Sequence, residues 1–308
     1  MDIASAGRRV GLDLGLRRPV PEEQIDRWLA YMAPSLPSEF GLLLGAKVRA
    51  ESLGLVGLAA RFSRSLGAAL AVLAGHTMLE DEIQVLPDQQ DTLLLIRSRG
   101  DVPYARKKAD CVAASILAIA NQITGERLVP KSVAFAFPPP ETVRYHRQYK
   151  DTFGCPIQFD RGDTCLVLAS RDLRRSIPGS SRKLATMFHR HAAESRLAMS
   201  GVYDLRWRAR AILRAHLFEE CPTIPELALL MGVSERLLRR RLDDTSPRFL
   251  AIVDEVRKER AVLLLRRWPK YTNAELASMV GLDEARFSAL FRRWTGMTPG
   301  QARQEASR

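Results

Sequence analysis

Three consecutive arginines, Arg239, Arg240 and Arg241, sit inside the segment GVSERLLRRRL at 232–242, with Arg236 one turn before them. Guanidinium groups hold oxyanions and can grip the edge of a guanine through paired hydrogen bonds. At about 100° per helical residue, Leu237, Leu238 and Leu242 fall on one side, with Arg241 at the edge where its stem can pack. Arg236, Arg239 and Arg240 gather on the opposite side. A charge run alone is an ordinary solvated face. A run collected opposite an apolar stripe is a surface suited to nucleic acid, with these three arginines as its candidate base contacts.

The elements that must position this face are themselves repeated. IPELALLMGVSERLLRRRL (224–242) matches NAELASMVGLDEARFSALF (273–291) at an offset of 49. Glu226, Leu227, Ala228 and Gly232 recur as Glu275, Leu276, Ala277 and Gly281, and each copy then offers a capping residue, Ser234 or Asp283. Helix, glycine turn, helix is the helix-turn-helix pattern, whose second helix can enter a major groove. In the second copy Phe287, Leu290, Phe291 and Trp294 form the apolar stripe. The opposite face carries Ala285, Ser288, Ala289 and Arg292, flanked by Arg286 and Arg293. It offers one candidate base contact, Ser288, and otherwise suits phosphates, for which Ser234, Arg286, Arg292 and Arg293 are the candidates. The first copy is therefore expected to read sequence and the second mainly to anchor. Between them, PRFLAIVDEVRKERAVLLLRRW (247–268) reads as one helix starting at Pro247. Its length of roughly 30 Å approaches the turn of B-DNA, about 34 Å, so one chain could set two helices into successive major grooves.

The bulk numbers agree with an anionic partner. The 308 residues carry a net charge of +12, with 46% hydrophobic and 27% charged residues, enough apolar material for two domains. Residues 200–308 hold 20 Lys+Arg against 14 Asp+Glu, the same surplus of +6 as the 199 residues before them. Charge density is nearly doubled in that third. Cys111, Cys155, Cys165 and Cys221 form no CxxC pair and read as reduced thiols, Cys155 as a small buried one. The opening MDIASAGRRV does not read as a signal peptide, and the longest uncharged apolar stretch, 65–79, is too short to cross a bilayer. A cytoplasmic protein with no membrane partner is expected. No P-loop, GxSxG or other catalytic set is present, so no enzyme is expected. His189 and His191 point to different faces of a helix. His76 and Glu80 share a face but bring no third ligand, so neither pair implies a metal, and no cofactor is implied. Arg161-Gly162-Asp163 reads as a hairpin turn.

The first two-thirds mixes periods. Helical spacing marks 21–32, 51–63, 65–79, 107–125, 141–151 and 180–198. EIQVL and TLLLIRSR flank PDQQ as a strand hairpin, VAFAF (133–137) is a strand stopped by Pro138, and CPIQF and TCLVLA read as a second hairpin across DRGD. The fold expected is an α+β domain over 1–199, for effector binding or dimerisation, followed by an all-α DNA-binding domain over 200–308 with two helix-turn-helix units joined by a long helix.

LALLMGVSERLLRRRL, DEVRKERAVLLL and FSALFRRWTGMTP together resemble the DNA-binding domain of AraC/XylS bacterial transcription regulators. By that resemblance Arg236, Arg239 and Arg240 occupy base-contacting positions. Two departures stand out. The chain is one residue shorter than the family pattern between Gly281 and Phe287, and the family's frequent Ser-Arg pair is here Ser288-Ala289, which removes a base-reading arginine. LGLVGLAARFSRSLGAAL, FAFPPP and YKDTFGCPIQFDRGDTCLVLASRDLRRSIPG resemble, more loosely, the effector domain of the AraC subgroup that includes ornithine-utilisation and quorum-sensing-related regulators. The resemblance implies a homodimeric, sequence-specific regulator of double-stranded DNA. An activator is the expectation, with RNA polymerase as a further partner, governed by a small-molecule effector. The alternatives are an effector-independent regulator whose first domain only dimerises, and an enzymatic first domain.

Overall fold

The computed structural model describes residues 27, 30–75, 82–87, 90–97, 104–199, 209–210, 212–214, 221–231, 233–244 and 249–306. Most of the helix expected at 21–32, the start at Pro247, Gly232 and the His76–Glu80 pair lie outside them.

Five strands form one sheet: β1 (Glu82–Pro87), β2 (Asp91–Arg97), β3 (Ser132–Ala134), β4 (Ile157–Gln158) and β5 (Thr164–Ala169), in the order β1-β2-β5-β3-β4. The expected β1–β2 hairpin forms, Val85 facing Leu94 and Leu86 facing Leu93. The expected second hairpin does not. β4 pairs in parallel with β3, while β5 runs antiparallel between β2 and β3. The connecting turn is bent by Asp160, at φ 55, and the backbone N–H groups of Asp160 and Arg161 donate to the carbonyls of Phe137 and Phe135. The chain after β4 thus stays beside the β3 side and reaches β5 only after crossing it.

Around one sheet face pack α1 (Phe40–Gly45), α2 (Gly54–Arg61), α3 (Leu66–Gly75), α4 (Ala105–Thr124) and α5 (Val143–Phe153). Gly125, at φ 72, ends α4, and Thr142 caps α5 by accepting the N–H of Tyr145. α1 lies against the backbone of α4. A Cβ on Gly41 would stand 2.1 Å from the carbonyl oxygen of Lys107, and one on Gly45 2.4 Å from that of Cys111, so only glycine permits the approach.

The sheet is buried on both faces. Val85, Leu94, Ile96, Val133, Leu166 and Leu168 join the core with α1–α5. Leu86, Leu93, Leu95, Ala134 and Cys165 point the other way, and the cover on that side comes from the C-terminal helices. That explains why β2 reads TLLLI, a continuous apolar run rather than an alternation.

After α6 (Arg182–Met199) come α7 (Ile224–Met231), α8 (Glu235–Asp244), α9 (Phe249–Arg267), α10 (Asn273–Met279), α11 (Glu284–Thr295) and α12 (Pro299–Ala306). α9 contributes to two cores. Ile252, Val253 and Val256 pack with Leu227, Ala228, Met231, Leu238 and Leu242 of α7–α8, together with Ala209, Ile212 and Leu213. Ala261, Leu264 and Leu265 pack with Leu276, Ala277, Phe287 and Phe291 of α10–α11, in the cluster that contains the outer face of the sheet. The apolar stripes expected on both second helices are the buried ones, led by Leu238 and Leu242 in α8 and by Phe287 and Phe291 in α11.

Candidate nucleic-acid interface

The two helix pairs start alike. Thr223 donates its backbone N–H (2.8 Å) and hydroxyl (2.7 Å) to the carboxylate of Glu226, and Thr272 does the same to Glu275 (2.7 and 2.9 Å), each a capping box at the same offset of the repeat. These hydrogen bonds hold both carboxyls below the usual carboxylate range. The second helices are capped by Ser234, which accepts the N–H of Leu237 at 3.2 Å, and by Asp283, which accepts that of Arg286 at 2.8 Å. The turn of the second pair passes through Gly281 at φ 67, a conformation that favours glycine.

On α8 the side chains of Arg236, Arg239 and Arg240 are exposed, opposite the buried Leu238 and Leu242. Arg239 is not idle. Its Nε lies 2.8 Å and its Nη2 2.7 Å from Oε1 of Glu235, one turn earlier. An exposed pair of this kind contributes about 0.2–1 kcal/mol, little enough to be exchanged for a stronger anion. Sequence reasoning passed over Glu235, although its i, i+4 spacing from Arg239 was there to be read.

On α11, Arg286, Ala289, Arg292 and Arg293 are exposed and Ser288 is half-buried. Arg293 reaches back to α9, its Nη2 donating to Oδ2 of Asp254 at 2.9 Å. Arg257 of α9 donates from Nε to the carbonyl of Val280 (3.2 Å) and from Nη2 to that of Gly281 (3.4 Å), holding the turn of the second pair. From the same stretch of α9, Glu255 and Glu259 pair with Arg210, and Glu259 also pairs with Arg214 at 2.5 Å. Neither set of ties was found from the sequence, because each joins residues 20 or more apart.

The N-terminal region touches both pairs. α6 packs on α7, and Nε2 of His189 lies 3.1 Å from the carbonyl oxygen of Leu230, which gives that histidine a hydrogen-bonding role between helices. Burial pushes the Cys155 thiol up to about 11 and raises those of Cys111 and Cys221, so none is set up as a reactive thiolate. Among the described residues no helix is long and apolar enough to cross a membrane.

A paired-helix unit bearing an exposed arginine face, behind an α+β region, defines the DNA-binding regulators of transcription rather than any enzyme. Comparison with known proteins makes the class specific. Residues 1–177 match the family described as the arabinose-binding domain of AraC transcription regulator, and residues 227–305 match a helix-turn-helix domain. The chain belongs to the AraC family of transcription regulators. It is 29% identical over 286 residues to the ornithine utilization regulator of Pseudomonas aeruginosa, covering 90% of this chain and 82% of that one. With the HTH-type transcriptional regulator VqsM of the same organism it shares 25% over 275 residues, covering 85% and 83%. The crystal structure of the transcriptional regulator CdpR from Pseudomonas aeruginosa has the same fold, at a TM-score of 0.50 and 23% identity over 98% of this chain and 96% of that one.

Proposed function

We propose that this chain is a cytoplasmic, homodimeric, sequence-specific regulator that sets α8 and α11 into successive major grooves of double-stranded DNA. The pairs α7–α8 and α10–α11 act as two helix-turn-helix units joined by α9, whose 19 residues span roughly 28 Å. The observation that carries this reading is the exposed arginine face of α8, opposite the buried Leu238 and Leu242. Arg236, Arg239 and Arg240 read bases in the first groove, with Ser288 contributing in the second. Ser234, Arg286, Arg292 and Arg293 hold phosphates. Residues 1–199 form the effector and dimerisation domain and residues 200–308 the DNA-binding domain. A small molecule in the first domain governs the second, and the output is activation through contact with RNA polymerase.

Selection of duplexes by the full-length protein from a random pool, followed by footprinting, tests the reading. Each chain is expected to protect two half-sites about one helical turn apart. Protection confined to a single groove, with α11 mutations leaving the footprint unchanged, would remove the second unit from the account.

A further inference from the structure

The sequence names no effector site, but the α4–α5 layer holds a polar cluster whose hydrogen bonds do not balance. Asp110 of α4 is fully buried. Both of its carboxylate oxygens are taken, Oδ1 by the hydroxyl of Tyr149 at 2.6 Å and Oδ2 by the hydroxyl of Tyr145. Burial holds this carboxyl up to about 6, even with two tyrosine donors. One turn earlier, Arg106 lies over two rings, its Cζ 5.0 Å from the centroid of Tyr145 and 5.8 Å from that of Phe137. Its Nε and Nη2 are enclosed and meet no well-aligned acceptor among the described residues, although against the lowering effect of burial the neighbouring Tyr149 and Tyr145 hydroxyls raise its pKa. Those two N–H groups form the parallel fork along one edge of a guanidinium that accepts a carboxylate through paired hydrogen bonds. Leaving such donors without a well-placed acceptor is costly.

A second feature points the same way. The first turn of α4 contains no acid, and its N-cap, Tyr104, makes no side-chain capping bond. Arg106, Lys107 and Lys108 occupy the turn instead. Helix N-termini attract anions and disfavour cations, so this end of a 20-residue helix concentrates positive potential. The surroundings are aromatic. Phe135 and Phe159 stack at 5.8 Å, Phe137 stacks on Phe135 at 5.9 Å, and the ring of His146 meets Phe159 edge-on at 5.7 Å.

We propose that this cluster is the effector site, binding the carboxylate of a small carboxylic acid through Nε and Nη2 of Arg106 and its apolar body against Phe137 and Tyr145. The inference rests on the effector reading above and names the ligand class. The acid supplies two acceptor oxygens to the N–H groups of Arg106, while those of Asp110 are engaged by the tyrosine hydroxyls.

The test uses the full-length protein with benzoate and hexanoate as probes and benzamide and hexanamide as matched neutral controls. The two acids are expected to raise Tm with concentration, as ligands of the folded state do, and the amides to leave it unchanged. Arg106→Met should abolish the response, measured against the melting point of the ligand-free variant itself. Arg106→Lys keeps the charge without the fork and should weaken benzoate at least about tenfold, one pair of oriented bonds being worth that much. It also serves if the methionine variant does not fold. The proposal is overturned if neither acid shifts Tm, if the amides shift it equally, or if Arg106→Lys binds benzoate as tightly as the parent. Affinity for the selected duplex, measured alongside, separates the two readings. Acids that bind through Arg106 and leave duplex affinity unchanged would keep the site and end effector control. Loss of the site with duplex binding intact would leave the regulator standing.

Discussion

The two helix pairs are built from one local pattern and are held differently. Both open with a Thr-Glu capping box, both bury a Leu-Ala pair at the same repeat positions (Leu227 and Ala228, Leu276 and Ala277), and both place their second helix with a capping side chain. They part company in their surroundings. The first pair closes its core with α9 and with Ala209, Ile212 and Leu213 and leaves three arginines exposed. The second shares its core with the outer face of the sheet, and α9 holds its turn through Arg257. The exposed face of α11 is correspondingly modest, with Ser288 half-buried and Ala289 beside it. Under the proposed function the pair with freedom reads, and the pair joined to the sheet couples that reading to the N-terminal region. Local sequence builds a scaffold, and long-range packing decides its task.

The contrast can be broken most forcefully at the sheet. Leu95→Asp places a carboxylate in the shared cluster, where an unpaired charge costs several kcal/mol. Denaturant unfolding of this variant is expected to split, α7–α8 keeping its helicity after the sheet and α10–α11 separate. A single undisturbed transition would mean the docking is dispensable.

Next in size is Arg260. This α9 residue is 5% exposed, none of its three guanidinium nitrogens has a hydrogen-bond partner among the described residues, and burial pushes its pKa down to about 10. Replacing it with methionine, of similar reach and no charge, is expected to stabilise the protein by about 1–4 kcal/mol. A lower denaturation midpoint in Arg260→Met would show that the charge is compensated.

The DNA-facing substitutions come third. Arg240→Ala is expected to cost about 1–3 kcal/mol at selected sites and to relax sequence preference, with stability unchanged. Arg239→Ala should cost less, because Arg239 must first leave Glu235. Glu235→Ala releases that arginine and should tighten binding. Titrations that rank Arg239 above Arg240 would reverse this order. Arg292→Ala is expected to weaken all duplexes alike and to lower the slope of log K against log salt by about one.

The smallest effect belongs to the capping boxes. The carboxyls of Glu226 and Glu275 are lowered in the folded state, so their contribution is complete above the ordinary carboxylate pKa and fades as pH falls through the depressed value. The paired change Glu226→Gln and Glu275→Gln should flatten the acid side of the stability–pH profile. An unchanged profile would place the acid sensitivity elsewhere.

What the sequence disclosed follows from range. The apolar stripes of α8 and α11 and the arginine face are set by neighbours three and four residues away, and 3.6-residue spacing reveals them. The Glu235–Arg239 pair was within the same reach. β4 was misplaced because CPIQF and TCLVLA look like a hairpin locally. Only the bond from Phe135 to Gln158 and its companions, across more than 20 residues, put β4 beside β3. TLLLI announced a strand buried on both faces without saying what covers each. The Arg106–Asp110 spacing is legible, but the tyrosines that bond Asp110 belong to another helix and meet it only through the packing of α5 on α4.

β2 serves two masters along a single strand. Leu93 and Leu95 belong to the cluster of the DNA-binding helices, and Leu94 and Ile96 to the core that holds α4 and α5. Adjacent positions are therefore under selection from opposite sides of the molecule. Side chains here can drift one at a time, each answering to its own core. The length of the strand cannot, since deleting one residue would exchange the two sets at a stroke and present each core with the other's partners.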